Sequence, residues 1–200
     1  VEKFGVIKAI QGIERSHVAV LMLDAAEGMT DQDAKIDNIA LDAGRALVVV
    51  FNKWDAIDKH DKTAAHMLKE LHRTRPSLSF APVQFVSALT GKRAMKVLDL
   101  VDQAHESWNM RVPTSQLNQW FDDIMHRQPP PLYKKRAVKL YYVTQARNRP
   151  PTFVLQSNMA PDALSESYKR FLARQLRDSF GFEGSPIRIV VRQRSSRFKE

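Results

Sequence analysis

The sequence predicts an α/β domain whose parallel sheet carries helices on both faces, followed by a small α+β domain. In residues 1–111, apolar runs of strand length alternate with segments of helical periodicity, which is typical of a parallel sheet buried on both faces. The alternation stops near Val112-Pro113-Thr114. Residues 1–111 contain 15 Lys and Arg and 15 Asp and Glu, whereas residues 112–200 contain 16 and 7. The net charge of +9 therefore lies in the second part, and we place the domain boundary after residue 111.

The first part alternates helices and strands in a fixed order. Apolar runs predict strands over 18–23, 46–51 and 83–87. Apolar residues at helical spacing predict helices over 1–16, from Thr30 to about residue 43, over 61–73 and over 93–107. Thr30-Asp31-Gln32-Asp33 suits the beginning of a helix, because Thr accepts hydrogen bonds from the first backbone N–H groups.

The second part has a different pattern. A helix from Ser115 ends before Gln128-Pro129-Pro130-Pro131, because proline cannot continue a helix. Strands are predicted over 137–144 and 152–156, and a helix between the N-cap Ser165 and the C-cap Gly181. A final strand over 186–192 alternates apolar residues with arginine and valine. This order predicts a small α+β sandwich.

The run Asn52-Lys53-Trp54-Asp55 directly follows the second predicted strand. In P-loop GTPases, an Asn-Lys-x-Asp motif at the end of a strand recognises the guanine base. The Asp55 carboxylate can accept from guanine N1–H and from the exocyclic amine, which adenine cannot match. Asn52 can tie the loop together and reach the Hoogsteen edge of the base, and the stem of Lys53 can cover the base plane. Trp54 is assigned a packing role only.

A second loop follows the third predicted strand. In GTPases a Ser-Ala-x loop at this place offers the backbone N–H of its alanine to guanine O6, and Ser87, Ala88 and Leu89 stand there. Either loop alone could be an ordinary polar turn after a strand. The spacing of the two loops, with a strand, a helix and a strand in order, favours a guanine site.

The phosphate half of a GTPase site is missing. The motif G-x-x-x-x-G-K-[ST], which holds the phosphates and places magnesium, does not occur in the sequence. We interpret the chain as the part of a GTPase that recognises the base, without the part that binds the phosphates. We therefore expect these 200 residues alone to bind GTP negligibly and to hydrolyse none, and we predict no catalytic residue in them.

Composition indicates a soluble, globular, cytoplasmic chain. The 200 residues include 44% hydrophobic residues and no cysteine, which excludes a disulfide framework and thiolate metal sites. No apolar run approaches twenty residues, so a membrane partner is not expected. The six histidines are scattered, and no metal site is predicted.

Ten of the 16 basic residues of the second part fall in three groups. One precedes the first strand of this part, one follows a face of its long helix, and one lies in the last strand and the tail. They are Lys134, Lys135, Arg136, Arg170, Arg174, Arg177, Arg192, Arg194, Arg197 and Lys199. Each could be part of an ordinary solvated surface, but the excess over the whole domain favours RNA. A membrane surface is less favoured, because one core accounts for the apolar positions.

Several strings in this sequence resemble the bacterial GTPase family Der, also called EngA. They include the two loops described above, 52–55 and 87–89, and others spread along the chain. The others are Val1-Glu2-Lys3-Phe4, Val6-Ile7-Lys8, Thr30-Asp31-Gln32-Asp33, Gln128-Pro129-Pro130, Val138-Lys139-Leu140, Ser167-Tyr168-Lys169-Arg170 and Gly184-Ser185-Pro186-Ile187-Arg188-Ile189.

The resemblance implies a partial Ras-like P-loop GTPase domain over 1–111 and a KH-like domain over 112–200. That family has two GTPase domains in tandem before the KH-like domain and assists assembly of the large ribosomal subunit. It implies GTP or GDP as ligand, Mg²⁺ in the complete protein, and ribosomal RNA as partner. A typical KH domain holds RNA with a G-x-x-G loop, which is absent between 157 and 165. The rival hypothesis is a non-enzymatic RNA-binding module with a structural GTPase remnant.

The strand over 18–23 carries a further expectation. In a Ras-like sheet this strand lies beside the strand that leads into the P-loop. Its sequence, Val-Ala-Val-Leu-Met-Leu, has no charge and no proline, although natural edge strands are usually protected by such residues. We therefore expect self-association through this strand, which Val20→Lys should weaken.

Overall fold

The computed structural model describes residues 2–58, 60 and 62–194, with the side chains from residue 7 onward. Arg197 and Lys199 lie outside these residues. The chain forms two compact units: Val1–Trp108 together with Phe182–Pro186, and Asn109–Gly181 together with Ile187–Glu200. The boundary near residue 111 remains a prediction, and a short downstream segment lies in the first unit.

The first unit is built on a three-stranded parallel sheet in the order β1 (Val18–Asp24), β2 (Ala46–Asn52), β3 (Val83–Phe85). The predicted strands are confirmed, although the third leaves the ladder at Phe85. The central strand is buried on both faces, which explains why its first six residues are all apolar. The edge strand β1 exposes Val20 (41%) and Met22 (57%). Self-association through it remains a prediction.

Four helices cover this sheet: α1 (Glu2–Arg15), α2 (Asp31–Asp42), α3 (Thr63–Thr74) and α4 (Lys96–Asn109). Apolar residues of α2 and α3 pack on one side of the sheet with Leu47, Val49 and Phe51. Those of α4 pack on the other side with Ala46, Val48 and Val50. The predicted arrangement of helices on both faces is thereby confirmed.

The cap of α2 shows why the helix begins at this point. The Thr30 hydroxyl accepts from the Asp33 N–H, and the Asp33 carboxylate accepts from the Thr30 N–H at 2.9 Å. This reciprocal capping box satisfies donors that a helix otherwise leaves open.

The second unit contains a three-stranded sheet and two long helices. Its sheet has the order β4 (Leu140–Asn148), β5 (Pro151–Ser157), β6 (Arg188–Gln193), with an antiparallel first pair and a parallel second pair. The helices are α5 (Thr114–Arg127) and α6 (Glu166–Phe180). β4 begins at residue 140 rather than 137, and it extends to Asn148 because the turn before Pro151 is shorter than the sequence predicts.

Helix α6 begins and ends at the predicted caps. The Ser165 hydroxyl accepts from the Tyr168 N–H at 3.3 Å, and Gly181 has φ +103 at the other end. The helix buries Tyr168, Leu172 and Leu176. In the part of the chain that the structure describes, none of the helices is both long and apolar enough to span a membrane.

Candidate nucleotide-binding site

The two predicted loops meet at one edge of the first sheet. Asn52 ends β2 and Ser87 follows β3, and neighbouring parallel strands bring their carboxyl ends together. The backbone joins them directly, because Val86 N–H donates to Phe51 O at 2.8 Å and Trp54 N–H donates to Val86 O at 3.0 Å. The crevice outside the carboxyl ends of such strands is where ligands of open α/β sheets bind.

A side-chain hydrogen bond links the loops as well. The amide oxygen Oδ1 of Asn52 accepts from the backbone N–H of Ala88 at 2.9 Å. Asn52 thus ties the two loops together. The same N–H is the group predicted to donate to guanine O6. For guanine to accept from Ala88, this hydrogen bond must be shared with the base or exchanged for it.

Two buried residues, Trp54 and Ser87, anchor the two loops. Trp54 is 7% exposed, and its ring lies 4.6 Å from the ring of Phe85 between their centroids, which agrees with a packing role. Ser87 is fully buried, and its hydroxyl accepts from the Thr90 N–H at 3.1 Å. Both anchors are made within the first unit, so the loops are positioned by its core.

Three of the residues predicted to contact guanine, Asp55, Ala88 and Leu89, are exposed to solvent. Asp55 lies in a single 3₁₀ turn, Trp54–Ala56, and is exposed. Ala88 is exposed, and Leu89 is 87% exposed. An exposed carboxylate, an amide and a small residue with an accessible backbone fit the hydrogen-bonding edge and the faces of a guanine.

Lys53 is fixed by a residue that sequence reasoning missed. Its backbone is left-handed, with φ +60, and its Nζ lies 2.5 Å from Oδ2 of Asp24, the last residue of β1. The Lys53 ammonium holds the pKa of the Asp24 carboxyl below its ordinary value, helped by the N–H of Ala26, and the carboxylate raises the pKa of Lys53. The signal was available in the sequence, because Asp24 ends a strand at the same sheet edge.

Known proteins match both units. The family profile described as the elongation factor Tu GTP binding domain matches residues 4–107, and the profile of the C-terminal KH-domain-like part of EngA bacterial GTPase enzymes matches residues 111–192. Curated proteins named GTPase Der match nearly the whole chain, and that of Natranaerobius thermophilus is 42% identical over 98% of this chain. The chain belongs to the Der (EngA) family of bacterial GTPases.

Other Der relatives give the same result. Those of Geobacillus sp. WCH70 and Caldanaerobacter subterraneus are 45% and 41% identical over 96% and 97% of this chain. The chain spans 44% of the length of each of these three relatives. Among solved structures, the match to Era in complex with MgGDPNP and nucleotides of 16S ribosomal RNA covers 94% of this chain and 68% of the Era chain, at 18% identity and a TM-score of 0.44.

This Der-family chain has a compact basic turn that contains Lys134, Lys135 and Arg136. Tyr133 N–H donates to Arg136 O at 3.0 Å and Arg136 N–H donates to Tyr133 O at 2.9 Å, which leaves both lysines in the centre of a two-residue turn. Both lysines have positive φ, 48° and 65°, a conformation that usually selects Asn or Gly. All three cations are exposed.

The arginines predicted along α6 do not form a uniform cationic row. Arg170 and Arg174 are exposed, and Arg174 Nε lies 3.9 Å from the carboxylate of Asp178. Arg177 is half-buried, and burial lowers its pKa to about 10. In the third group, Arg192 is exposed on β6, and the guanidinium of Arg194 lies 5.5 Å from the ring centroid of Tyr141.

In residues 2–58, 60 and 62–194, no group of three or more His, Cys, Asp or Glu side chains is placed to hold a metal ion.

Proposed function

We propose that this chain is the guanine-recognising and KH-like part of a GTPase that acts in assembly of the large ribosomal subunit. The observation that carries the nucleotide proposal is the Asn52–Ala88 hydrogen bond, which joins the two base-reading loops. Membership of the Der family supports GTP hydrolysis as the activity of the longer protein, because its relatives carry the name GTPase Der.

The proposed roles follow from hydrogen-bonding chemistry. Asp55 accepts from guanine N1–H and the exocyclic amine, Asn52 and Ala88 contact the opposite edge, and Lys53 with Leu89 covers the base. Asp24 keeps the Lys53 stem in position. Ser87 positions its loop through Thr90.

Hydrolysis is assigned to residues outside this chain. A P-loop and Mg²⁺ supply phosphate binding and charge neutralisation in GTPases, and the P-loop motif does not occur in the sequence. We therefore propose that these 200 residues alone bind GTP negligibly and hydrolyse none. The proposed cellular location is the cytoplasm. The proposed partner is ribosomal RNA, because a net charge of +9 favours binding to a phosphate backbone.

A hybrid protein tests the nucleotide proposal. In this hybrid, the part of the Natranaerobius relative that begins at its second P-loop and ends just before the residue aligned with Val1 is joined to Val1. The hybrid should bind phosphates and contains no second nucleotide site. Calorimetry should give the tightest binding for GDP. Inosine diphosphate lacks the exocyclic amine, so it should bind roughly 10- to 150-fold more weakly, and ADP should bind more weakly still.

The control is the same hybrid with Asp58→Asn, an exposed acidic residue just beyond the loop, which should keep the order of the three nucleotides. Equal affinity for GDP and ADP would contradict guanine recognition. A folded hybrid that binds RNA but none of these nucleotides would instead support the non-enzymatic RNA-binding module.

A further inference from the structure

The sheet of the second unit has one buried and one solvent-facing side. Residues alternate between the two sides along each strand. The buried side carries Val143, Phe153, Leu155 and Val191, all at most 5% exposed. Helix α5 packs against β4 and α6 against β6, so the helices account for the burial of this side.

Strand register shows which residues share the other side, here called the open sheet face. Three rows cross the sheet there, because each residue of β5 is paired with one of β4 and one of β6. The rows are Tyr142, Gln156 and Arg192; Thr144, Val154 and Val190; and Arg147, Thr152 and Arg188.

The open sheet face is accessible around a small apolar centre. Tyr142 is 46% exposed and Val190 is 37% exposed, while Val154 in the middle row is 5% exposed. Thr144 beside it is exposed.

The charges on this face have one sign. The three strands contain no Asp or Glu, and their only charged residues are Arg147, Arg188 and Arg192. Register places all three on the open sheet face, and Arg147 and Arg192 are exposed. Arg188 and Arg192 are separated by about 13 Å along β6. A polyanion that runs along the strands can contact arginines at both ends of the face.

We infer that the open sheet face binds single-stranded RNA, with Tyr142 stacking on an unpaired base and Arg147 and Arg192 contacting phosphates. This inference rests on the proposed RNA partner and names the surface that recognises it. An exposed aromatic ring amid arginines on a sheet suits single strands, because paired bases cannot reach the ring. Thr144 and Gln156 lie beside Tyr142 and offer hydrogen bonds to base edges.

A neighbouring ring extends the same surface. Tyr141 lies where the register shifts between Leu140 and Tyr142, and it is 45% exposed. The Arg194 guanidinium 5.5 Å from its ring centroid adds a stacking group and a positive charge at the end of β6. Arg192 and Arg194 were RNA candidates from sequence, whereas the tyrosines and Arg147 were not.

Fluorescence anisotropy with labelled oligouridine and a labelled RNA duplex tests the inference on the full 200-residue chain. The chain should bind the single strand more tightly than the duplex. Tyr142→Thr should weaken oligouridine binding by about 5- to 150-fold, because one stacked base is lost. Arg192→Gln should reduce the slope of log affinity against log salt by about 0.7, because one phosphate contact is lost.

Two matched variants sharpen this test. Arg127→Gln on α5 removes one exposed charge away from the face and should leave binding within about twofold. Arg174→Gln tests the rival surface on α6 and should also have little effect. Thermal unfolding checks that each variant is folded.

The inference is overturned if Tyr142→Thr and Arg192→Gln bind like the parent while Arg174→Gln does not, or if the duplex binds more tightly. It is also overturned if the parent chain binds no RNA and the face instead pairs with a protein. Photocrosslinking with 4-thiouridine gives an independent result: crosslinks should map to 140–156 and 188–194, and crosslinks confined to α6 would contradict it. Nucleotide binding by the hybrid is unaffected by these outcomes, so the two proposals fail separately.

Discussion

Replacement of Arg75 by methionine is expected to lower the free energy of unfolding of the first unit by about 3–5 kcal/mol. Arg75 Nε donates to Asp37 Oδ2 at 2.9 Å, and its Nη2 donates to the other carboxylate oxygen and to Asn38 Oδ1. Asp37 is 0% exposed. The methionine fills similar space but leaves a buried carboxylate without its cation. Urea denaturation measures the loss.

The pH dependence gives this prediction a second readout. Burial raises the pKa of Asp37, and Arg75 opposes that rise, so removal of Arg75 should raise the pKa further. When the pKa of a carboxyl is higher in the folded than in the unfolded state, the free energy of unfolding falls as pH rises between the two pKa values. The deficit of the Arg75→Met variant should therefore be smaller at pH 5 than at pH 8.

Arg73→Met is the matched control, because Arg73 pairs with Glu70 on the exposed surface of α3, the helix that ends just before Arg75. It should have little effect, since exposed ion pairs contribute little. Equal losses for the two variants, or an Arg75→Met deficit that does not depend on pH, would contradict this account of Asp37.

The Gly184→Ala substitution is expected to destabilise the first unit by roughly 2–4 kcal/mol. The Gly184 N–H donates to Phe80 O at 2.8 Å, and its carbonyl accepts from the Leu47 N–H at 2.7 Å. Its φ is +73, and an added Cβ would lie 2.6 Å from the Cβ of Ala104. Both the left-handed backbone and the contact with α4 oppose a side chain. Thermal and urea unfolding measure the effect.

The matched control is Gly181→Ala, which separates the two causes. Gly181 also has positive φ, but a Cβ there would meet nothing within 4 Å. It should lose only the backbone contribution, about 1–2 kcal/mol. If Gly184→Ala is no worse than Gly181→Ala, close packing against Ala104 does not hold this segment in the first unit.

The features that the sequence predicted are those with a local physical cause. The run 46–51 is apolar throughout because the central strand is buried on both faces, so its place in the sheet could be inferred. Ser165 and Gly181 cap α6 through bonds to their own chain neighbours. Asn52 and Asp55 could be recognised because a fixed spacing at a strand end carries the chemistry.

The features that the sequence did not predict depend on chain segments far apart. Asp24 and Lys53 meet only because β1 and β2 are parallel neighbours. The place of Gly184 in the first unit depends on backbone hydrogen bonds and close packing, which leave no periodic pattern. The alternation of Arg188 and Arg192 was visible, but the residues that share their face follow from register and from irregularities in β4.

The central claim is that Asp55 reads guanine, and the affinities of the hybrid protein for GDP and xanthosine diphosphate test it most directly. With Asp55→Asn, GDP binding should weaken by roughly 10- to 150-fold, because the uncharged amide accepts only one of the two hydrogen bonds that the carboxylate accepts. Xanthine has a carbonyl at C2 that suits an amide donor, so xanthosine diphosphate should become the preferred ligand. The parent hybrid and Asp58→Asn should prefer GDP. Unchanged GDP affinity in a folded Asp55→Asn hybrid, with no gain for xanthosine diphosphate, would contradict the assignment of this site.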